Sequence, residues 1–244
     1  MSLNQNKVKI GQFKDWVIYE DDDYLAINKP PLIATLEDRE SPINILELAR
    51  KQNKSMSVCH RLDKETSGVL VLAKNEVAYK HLALQFENRE VQKVYHCVSE
   101  GTELYENKLI DLGIKYTTKG FVRIDKKGKD SVTEINTLKR FKKHSLIEAL
   151  PQTGRMHQIR AHMSAIGAPI VADEKYFGKK LYLSQLKKQY TLSKHELEER
   201  PLMGRVALHA FSIRFVKPNG KPILIEAPYY KDFGVLVKKL ESYS

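Results

Sequence analysis

Apolar and polar positions alternate with a period of two along much of this chain, the pattern of strands with one buried face. Trp16 to Tyr19 reads as a strand, Asp21-Asp22-Asp23 as its turn, and Tyr24 to Asn28 as the return. Lys29-Pro30-Pro31 stops that return, because proline has no amide hydrogen to give to a ladder. Met56 to Cys59 is β-prone, and Val69 to Ala73 is almost wholly apolar, as expected of a strand buried on both faces. Val91 to Ser99 puts Lys93, Tyr95 and Cys97 on one face and Val94, His96 and Val98 on the other. Val132 to Phe141 and Ser145 to Leu150 predict a strand pair. Val206 to Val216 and Pro222 to Glu226 predict a closing hairpin around Lys217-Pro218-Asn219-Gly220.

Helical spacing recurs in four places. Pro42 to Gln52 fits a helix with Ser41 as N-cap and Pro42 at its first position. Asn75 can cap a helix running to about Arg89, with Ala78, Tyr79, Leu82, Ala83 and Phe86 as its apolar stripe. The turn Gln152-Thr153-Gly154 leads into a helix from Met156 to Ile166, striped by Met156, Ile159, Met163 and Ile166 and ended by Gly167. Lys231 to Leu240 closes the chain as a helix. Strands outnumber helices and most are joined by hairpins. The predicted class is α+β, helices packed on a mainly antiparallel sheet. Residues 16–244 read as one domain after a polar tail over 1–15. A Lys- and Glu-rich insert over 178–205 is expected to be partly mobile and to carry a short helix.

Charge changes the picture. The net charge of +11 on 244 residues favours polyanionic partners, of which nucleic acid is the commonest. Lys115 to Lys143 alone holds ten Lys or Arg against three acids, with Gly113, Gly120 and Gly128 marking hairpin turns. A basic hairpin suits a phosphate backbone; it equally suits a solvated edge that lysine protects against sheet pairing. No apolar stretch approaches membrane-spanning length. Cys59 and Cys97 show no paired spacing, which argues against a disulfide scaffold or a cysteine zinc site. A reducing cytoplasm is the expected compartment.

The richest candidate chemistry lies in the polar nonapeptide His60-Arg61-Leu62-Asp63-Lys64-Glu65-Thr66-Ser67-Gly68. Flanked by a β-prone segment and a buried strand, it is a loop fixed at both ends by the core. In an extended loop Arg61 and Asp63 point one way and Leu62 the other. Taken alone, Asp63 also reads as an ordinary turn former. The second candidate is Thr153 to Arg160, where a glycine turn opens a helix. Arg155 beside that N-terminus makes a phosphate seat. Arg160, near the apolar stripe, calls for an anionic partner; Asp63 would serve, and so would another acid. Tyr95 reads as a core tyrosine unless its strand lies beside the Asp63 loop. His60 with Asp63, and His157 with His162, raise the question of a metal. The two helix histidines are five apart, which splays them, and no metal is expected. There is no GxxxxGK[ST], GxGxxG or GxSxG pattern.

Together these segments resemble the RluA-type pseudouridine synthases. The resemblance rests on His60-Arg61-Leu62-Asp63 with Thr66-Ser67-Gly68, on Lys93-Val94-Tyr95, on Thr153 to Arg160 continuing through Ala168-Pro169-Ile170-Val171-Ala172-Asp173, and on Leu208-His209-Ala210. The matching segments run in family order from about Trp16 to Leu240. The resemblance implies the pseudouridine synthase fold and cofactor-free isomerisation of uridine in transfer or ribosomal RNA. It implies that Asp63 is the catalytic aspartate, that Tyr95 packs on the target uracil and helps remove the carbon 5 proton, and that Arg160 keeps the Asp63 carboxylate ionised. Arg61 would enter the RNA stack when the base leaves it, and His60, Arg155 and Lys93 join it as expected RNA contacts. Pro31-Leu32 and Met156 depart from the usual family residues at their positions. An accessory RNA-binding domain, which many relatives carry, finds no room before residue 60, so RNA selection is expected from the catalytic domain, acting as a monomer without DNA or membrane partners. Two other readings share the scaffold: a non-catalytic basic RNA-binding or chaperone module, and a nucleoside hydrolase with Asp63 as base.

Overall fold

The computed structural model describes residues 11–37, 43–117, 120–192 and 197–243. A single 3-10 turn, Phe13–Trp16, buries both aromatic ends before strand β1 begins at Val17–Glu20. The turn over the three aspartates returns the chain as β2, Tyr24–Lys29. Helix α1 spans only Ile45–Arg50, and Asn44 caps it by accepting from the Glu47 amide at 2.9 Å. The cap expected at Ser41 and the helix start at Pro42 lie outside the described residues. Then come β3, Ser57–Val58, and β4, Ser67–Ala73, every residue of which is buried. Four consecutive aliphatics, Val69 to Leu72, are at most 2 % exposed, and burying each contributes about 1.5–3 kcal/mol.

Helix α2, Glu76–Glu87, starts under the Asn75 cap as its sequence predicts. Its buried face differs from the expected stripe. Tyr79 is 39 % exposed, whereas Gln85 is buried because its amide pairs in both directions with the backbone of Val216 at 2.8 Å. Beyond it lie β5, Gln92–Glu100; β6, Lys108–Asp111; the small hairpin β7, Ile114–Tyr116, with β8, Val122–Ile124; and the long pair β9, Val132–Arg140, and β10, His144–Pro151. Helix α3 is Gln158–Ala165, two residues later at its start than the spacing predicts. Within the polar segment over 178–205, α4 covers Leu183–Leu186. That segment is not polar throughout in three dimensions, since Leu181, Met203 and Arg205 are buried. The hairpin β11, Leu208–Val216, with β12, Pro222–Glu226, and helix α5, Lys231–Ser242, complete the chain.

The main sheet runs β1-β2-β4-β11-β5-β10-β9-β6, with β3 beside β4 and β12 beside β11. Its pairings are antiparallel except that of β4 with β11, where His209 lies opposite Ser67 and Ala210 opposite Gly68. The class is therefore α+β on a mainly antiparallel sheet. Gly68 makes the parallel contact possible: its φ is +114°, and a Cβ there would lie 2.1 Å from the Ala210 carbonyl oxygen. One core lies around β2, β4 and α2, a second around β5, β10, α3 and α5, and Tyr95 packs against both.

Candidate active site

Because β4, β11, β5 and β10 are successive neighbours, the loop before β4 and the turn after β10 face each other across the middle of the sheet. Between them is a cavity of about 600 Å³ whose lining includes Asp63, Tyr95, Arg160, Lys93, Arg61 and Tyr116. All seven of the residues singled out in the sequence line it, His60 and Arg155 included.

The Asp63 loop is held from several sides. Thr35 accepts from the Leu62 amide and donates to the Leu62 carbonyl, at 3.1 and 2.9 Å. Lys29, fully buried, donates through Nζ to the carbonyls of Pro30, Ile33 and Lys64. Burial takes its pKa down to about 7, with Arg205 lowering it further and Asp63 opposing. Arg205 donates to the Glu65 carbonyl and to the Ser67 hydroxyl, and it is anchored by Asp232 at 2.7 Å. Leu62 is buried, so the loop turns Arg61 outward and leaves the Asp63 side chain 21 % exposed in the cavity. Such pinning holds a carboxylate in one place before any substrate arrives. Thr35 and Arg205 carry no local pattern that marks them, and Lys29 reads in sequence only as a strand end.

Of the two kinds of partner the sequence leaves open for Arg160, Asp63 or another acid, the structure gives it both. Its main partner is Asp173, with Nε to Oδ2 and Nη2 to Oδ1 both at 2.7 Å. Asp63 is a secondary partner, 3.6 Å from Nη1, and Glu65 lies 3.8 Å from Nη2. The guanidinium also sits 5.0 Å from the ring centre of Tyr176. The anionic partner for this arginine is thus chiefly an acid thirteen residues downstream. The motif marks the position of Arg160, and no local pattern marks Asp173 as its main partner.

Tyr95 is walled in by both cores, and burial raises its phenol pKa, with the Asp63 charge adding to the rise. It therefore stays protonated and presents an uncharged side chain to the cavity that Asp63 also lines. Lys93 donates to the Thr153 carbonyl at 3.4 Å, and burial lowers its ammonium pKa to about 8. Arg155 does not sit at a helix N-terminus. Its amide donates to Gln158 Oε1 at 3.0 Å, its Nε donates to the Asp130 carbonyl, and α3 begins three residues later. The Arg155 amide is therefore taken up by the Gln158 side chain, and the arginine precedes the helix start by three residues. His60 is likewise engaged within the fold. Its Nε2 accepts from the Val71 amide at 3.0 Å and its ring stacks on Phe86. Burial, aided by Lys93, brings its pKa down to about 3, so it offers no positive charge to a phosphate. Among the described residues no three His, Cys, Asp or Glu side chains are grouped as metal ligands, and no helix is long and apolar enough to cross a membrane.

Residues 23–165 match the RNA pseudouridylate synthase family. The chain is 34% identical to the ribosomal large subunit pseudouridine synthase C of Buchnera aphidicola subsp. Baizongia pistaciae (strain Bp), over 98% of this chain and 76% of that protein. It is 32% identical to the protein of that name from Vibrio vulnificus (strain CMCP6), over 96% of this chain and 72% of that one. The solved structure of human RNA pseudouridylate synthase domain containing 4 superposes with a TM-score of 0.73 at 23% identity, covering 94% of each chain, and so shares the fold. The family match over residues 23–165 and the agreement along nearly the whole sequence place this chain in the RNA pseudouridylate synthase family, among its RluA-type isomerases.

Proposed function

We propose that this isomerase converts uridine to pseudouridine in large-subunit ribosomal RNA, with Asp63 as its catalytic carboxylate. The observation that carries the reading is the convergence of Asp63, Tyr95 and Arg160 on one cavity from three separate parts of the chain. The named relatives support the ribosomal substrate.

The isomerisation breaks the bond between C1′ and N1 and forms one between C1′ and C5. The proton on C5 leaves and N1 gains one, so neither water nor an oxidant is consumed. Such a step needs a carboxylate poised against the ribose or base and a close pocket that keeps the detached uracil while it turns. The cavity supplies a pinned carboxylate, an uncharged aromatic ring beside it and a buried guanidinium behind it. The target must leave its stack to enter, at a cost of about a few kcal/mol. Arg61, exposed at the rim, can recover part of that by stacking in the vacated place. Tyr116, 46 % exposed on the cavity wall with Lys129 Nζ 5.9 Å from its ring, offers a second surface for a neighbouring base.

The test is to map pseudouridine in ribosomal RNA from cells carrying the gene, lacking it, or carrying Asp63→Asn. Loss of one or more large-subunit sites in both altered strains, with RNA binding by the purified variant retained, is the expected result. An unchanged map would refute the substrate, and normal turnover by Asp63→Asn would refute the carboxylate. Release of free uracil would favour the hydrolase.

A further inference from the structure

Two pairs of residues, each three apart, interlock behind Asp63. His157 and Arg160 come from the start of α3. Asp173 and Tyr176 come from the short 3-10 turn Glu174–Tyr176 and the residue before it. Arg160 takes Asp173, and His157 takes Tyr176: the Tyr176 hydroxyl lies 2.9 Å from His157 Nδ1. The other imidazole nitrogen, Nε2, faces Asp63 Oδ2 at 3.8 Å. His157 adopts φ of +54°, a left-handed conformation that is strained for a non-glycine residue and persists where the surroundings impose it.

The proton positions follow from counting donors. The Val122 amide donates to the Tyr176 hydroxyl oxygen at 3.0 Å, in a buried contact. The remaining hydroxyl hydrogen has His157 Nδ1 within reach as its acceptor, and a buried hydroxyl hydrogen without one costs free energy. If Tyr176 donates to Nδ1, a neutral ring carries its own hydrogen on Nε2, the nitrogen that faces the carboxylate. We infer that His157 is a positioning residue: neutral, held in its Nε2–H tautomer by Tyr176, it orients Asp63 for the reaction. The inference rests on the proposed role of Asp63.

Burial favours the neutral ring by lowering the His157 pKa; Asp63 and Asp173 oppose that, and Arg160 and Lys175 reinforce it. A separation of 3.8 Å is longer than a hydrogen bond, and contacts of this kind tighten when substrate fills the site. Arg160 Nη1 faces the same oxygen, Asp63 Oδ2, at 3.6 Å, so the two donors together confine that oxygen more narrowly than either would alone. The sequence presents His157 within the Thr153 to Arg160 segment and as one member of a poorly spaced histidine pair, with no role of its own, and its partner Tyr176 carries no recognisable pattern.

Two conservative amides separate positioning from packing. In His157→Gln the amide nitrogen reaches the place of Nε2, and in His157→Asn it reaches only that of Nδ1. Misplacing a reacting group by about 1 Å can cost roughly a hundredfold in rate. On a large-subunit ribosomal RNA transcript, His157→Asn should lose on that order in kcat, His157→Gln roughly tenfold or less, and KM should move by less than about threefold in both. Tyr176→Phe, which keeps the ring, should also reduce kcat and not KM. Nitrogen-15 spectra of histidine-labelled protein should show His157 hydrogenated on Nε2, a mixture of tautomers in Tyr176→Phe, and a shifted Nε2 signal in Asp63→Asn. A wild-type spectrum with the hydrogen on Nδ1, equal losses in the two amide variants, or a loss confined to KM would each overturn the inference. If the wild-type enzyme leaves that transcript unmodified, the functional reading fails, and the spectra alone still decide whether His157 addresses Asp63.

Discussion

Arg160 and Asp173 form a two-pronged pair, each carboxylate oxygen 2.7 Å from a guanidinium nitrogen, with the side chains 3 % and 0 % exposed. The pair fixes the plane of the guanidinium, so its third nitrogen, Nη1, is aimed at Asp63 without further ordering. Removing one partner of a buried pair leaves the other charge without compensation, at about 3–5 kcal/mol. Asp173→Asn should therefore lower the urea unfolding free energy by about that much and also reduce pseudouridine formation at temperatures where the variant remains folded. A stability within about 1 kcal/mol of wild type would show that Asp63 and Glu65 suffice as counter-charges.

Local patterns disclosed the local features. The apolar run Val69 to Ala73 and the polar nonapeptide before it are legible because burial on both faces leaves an unbroken signature in consecutive residues. Asp63, Tyr95 and Arg160 were found by motif, and the sheet order then explains why they meet. What escaped was non-local. Gln85 is buried on a helix face because it replaces a strand partner for Val216, 131 residues away. Arg160 finds Asp173, and Arg205 ties Asp232 to the Glu65 carbonyl 140 residues back. Helix α3 starts later than its spacing predicts because Gln158 folds its side chain back onto Thr153 and Arg155, and His157 leaves the helical region. Propensity carries no trace of such contacts.

Gly68 tests the parallel junction of β4 with β11. A methyl group at this position would lie 2.1 Å from the Ala210 carbonyl oxygen and 2.6 Å from its nitrogen, and φ is +114°. Both obstacles are backbone, so neither can rotate away. Gly68→Ala should lose at least about 2–3 kcal/mol of stability, combining overpacking with left-handed strain. Denaturant titration of the two proteins checks this, and near-equal midpoints would mean the strands can part at little cost.

The hairpin β7–β8 and its continuation carry exposed Lys115, Arg123, Lys126, Lys127 and Lys129 close to the cavity wall formed by Tyr116. If these side chains track phosphates, their removal weakens binding to any RNA sequence by a similar factor. Each neutralised contact takes about 0.7–0.9 from the slope of log affinity against log salt concentration. Lys126→Ala with Lys127→Ala should reduce that slope by up to about 1.8 on a ribosomal RNA fragment. A filter-binding series at several salt concentrations reads it directly; an unaltered slope would assign these lysines to solvent.

His209 sets a pH limit on the fold. It is fully buried, with Nε2 3.0 Å from the Ala227 carbonyl and Nδ1 2.9 Å from the Ser67 hydroxyl, whose oxygen already accepts from Arg205. The ring thus donates through Nε2 and accepts through Nδ1, which requires it to be neutral. Burial takes its pKa down to about 4, with the Ala227 carbonyl opposing and Arg205 reinforcing the fall. In the unfolded chain the imidazole takes a proton near its ordinary value of about 6.5, so between the two values the unfolded state binds more protons. The stability from keeping this ring neutral is complete above about pH 6.5 and drains away as pH falls towards 4, by at most about 1.4 kcal/mol for each pH unit. Urea unfolding of wild type at pH 7.5 and pH 5 should show that loss, and His209→Gln, less stable at pH 7.5, should show a smaller pH slope. Equal slopes in the two proteins would mean that the ring accepts a proton without disturbing Ser67, and that the contact with Arg205 alone holds the end of the Asp63 loop.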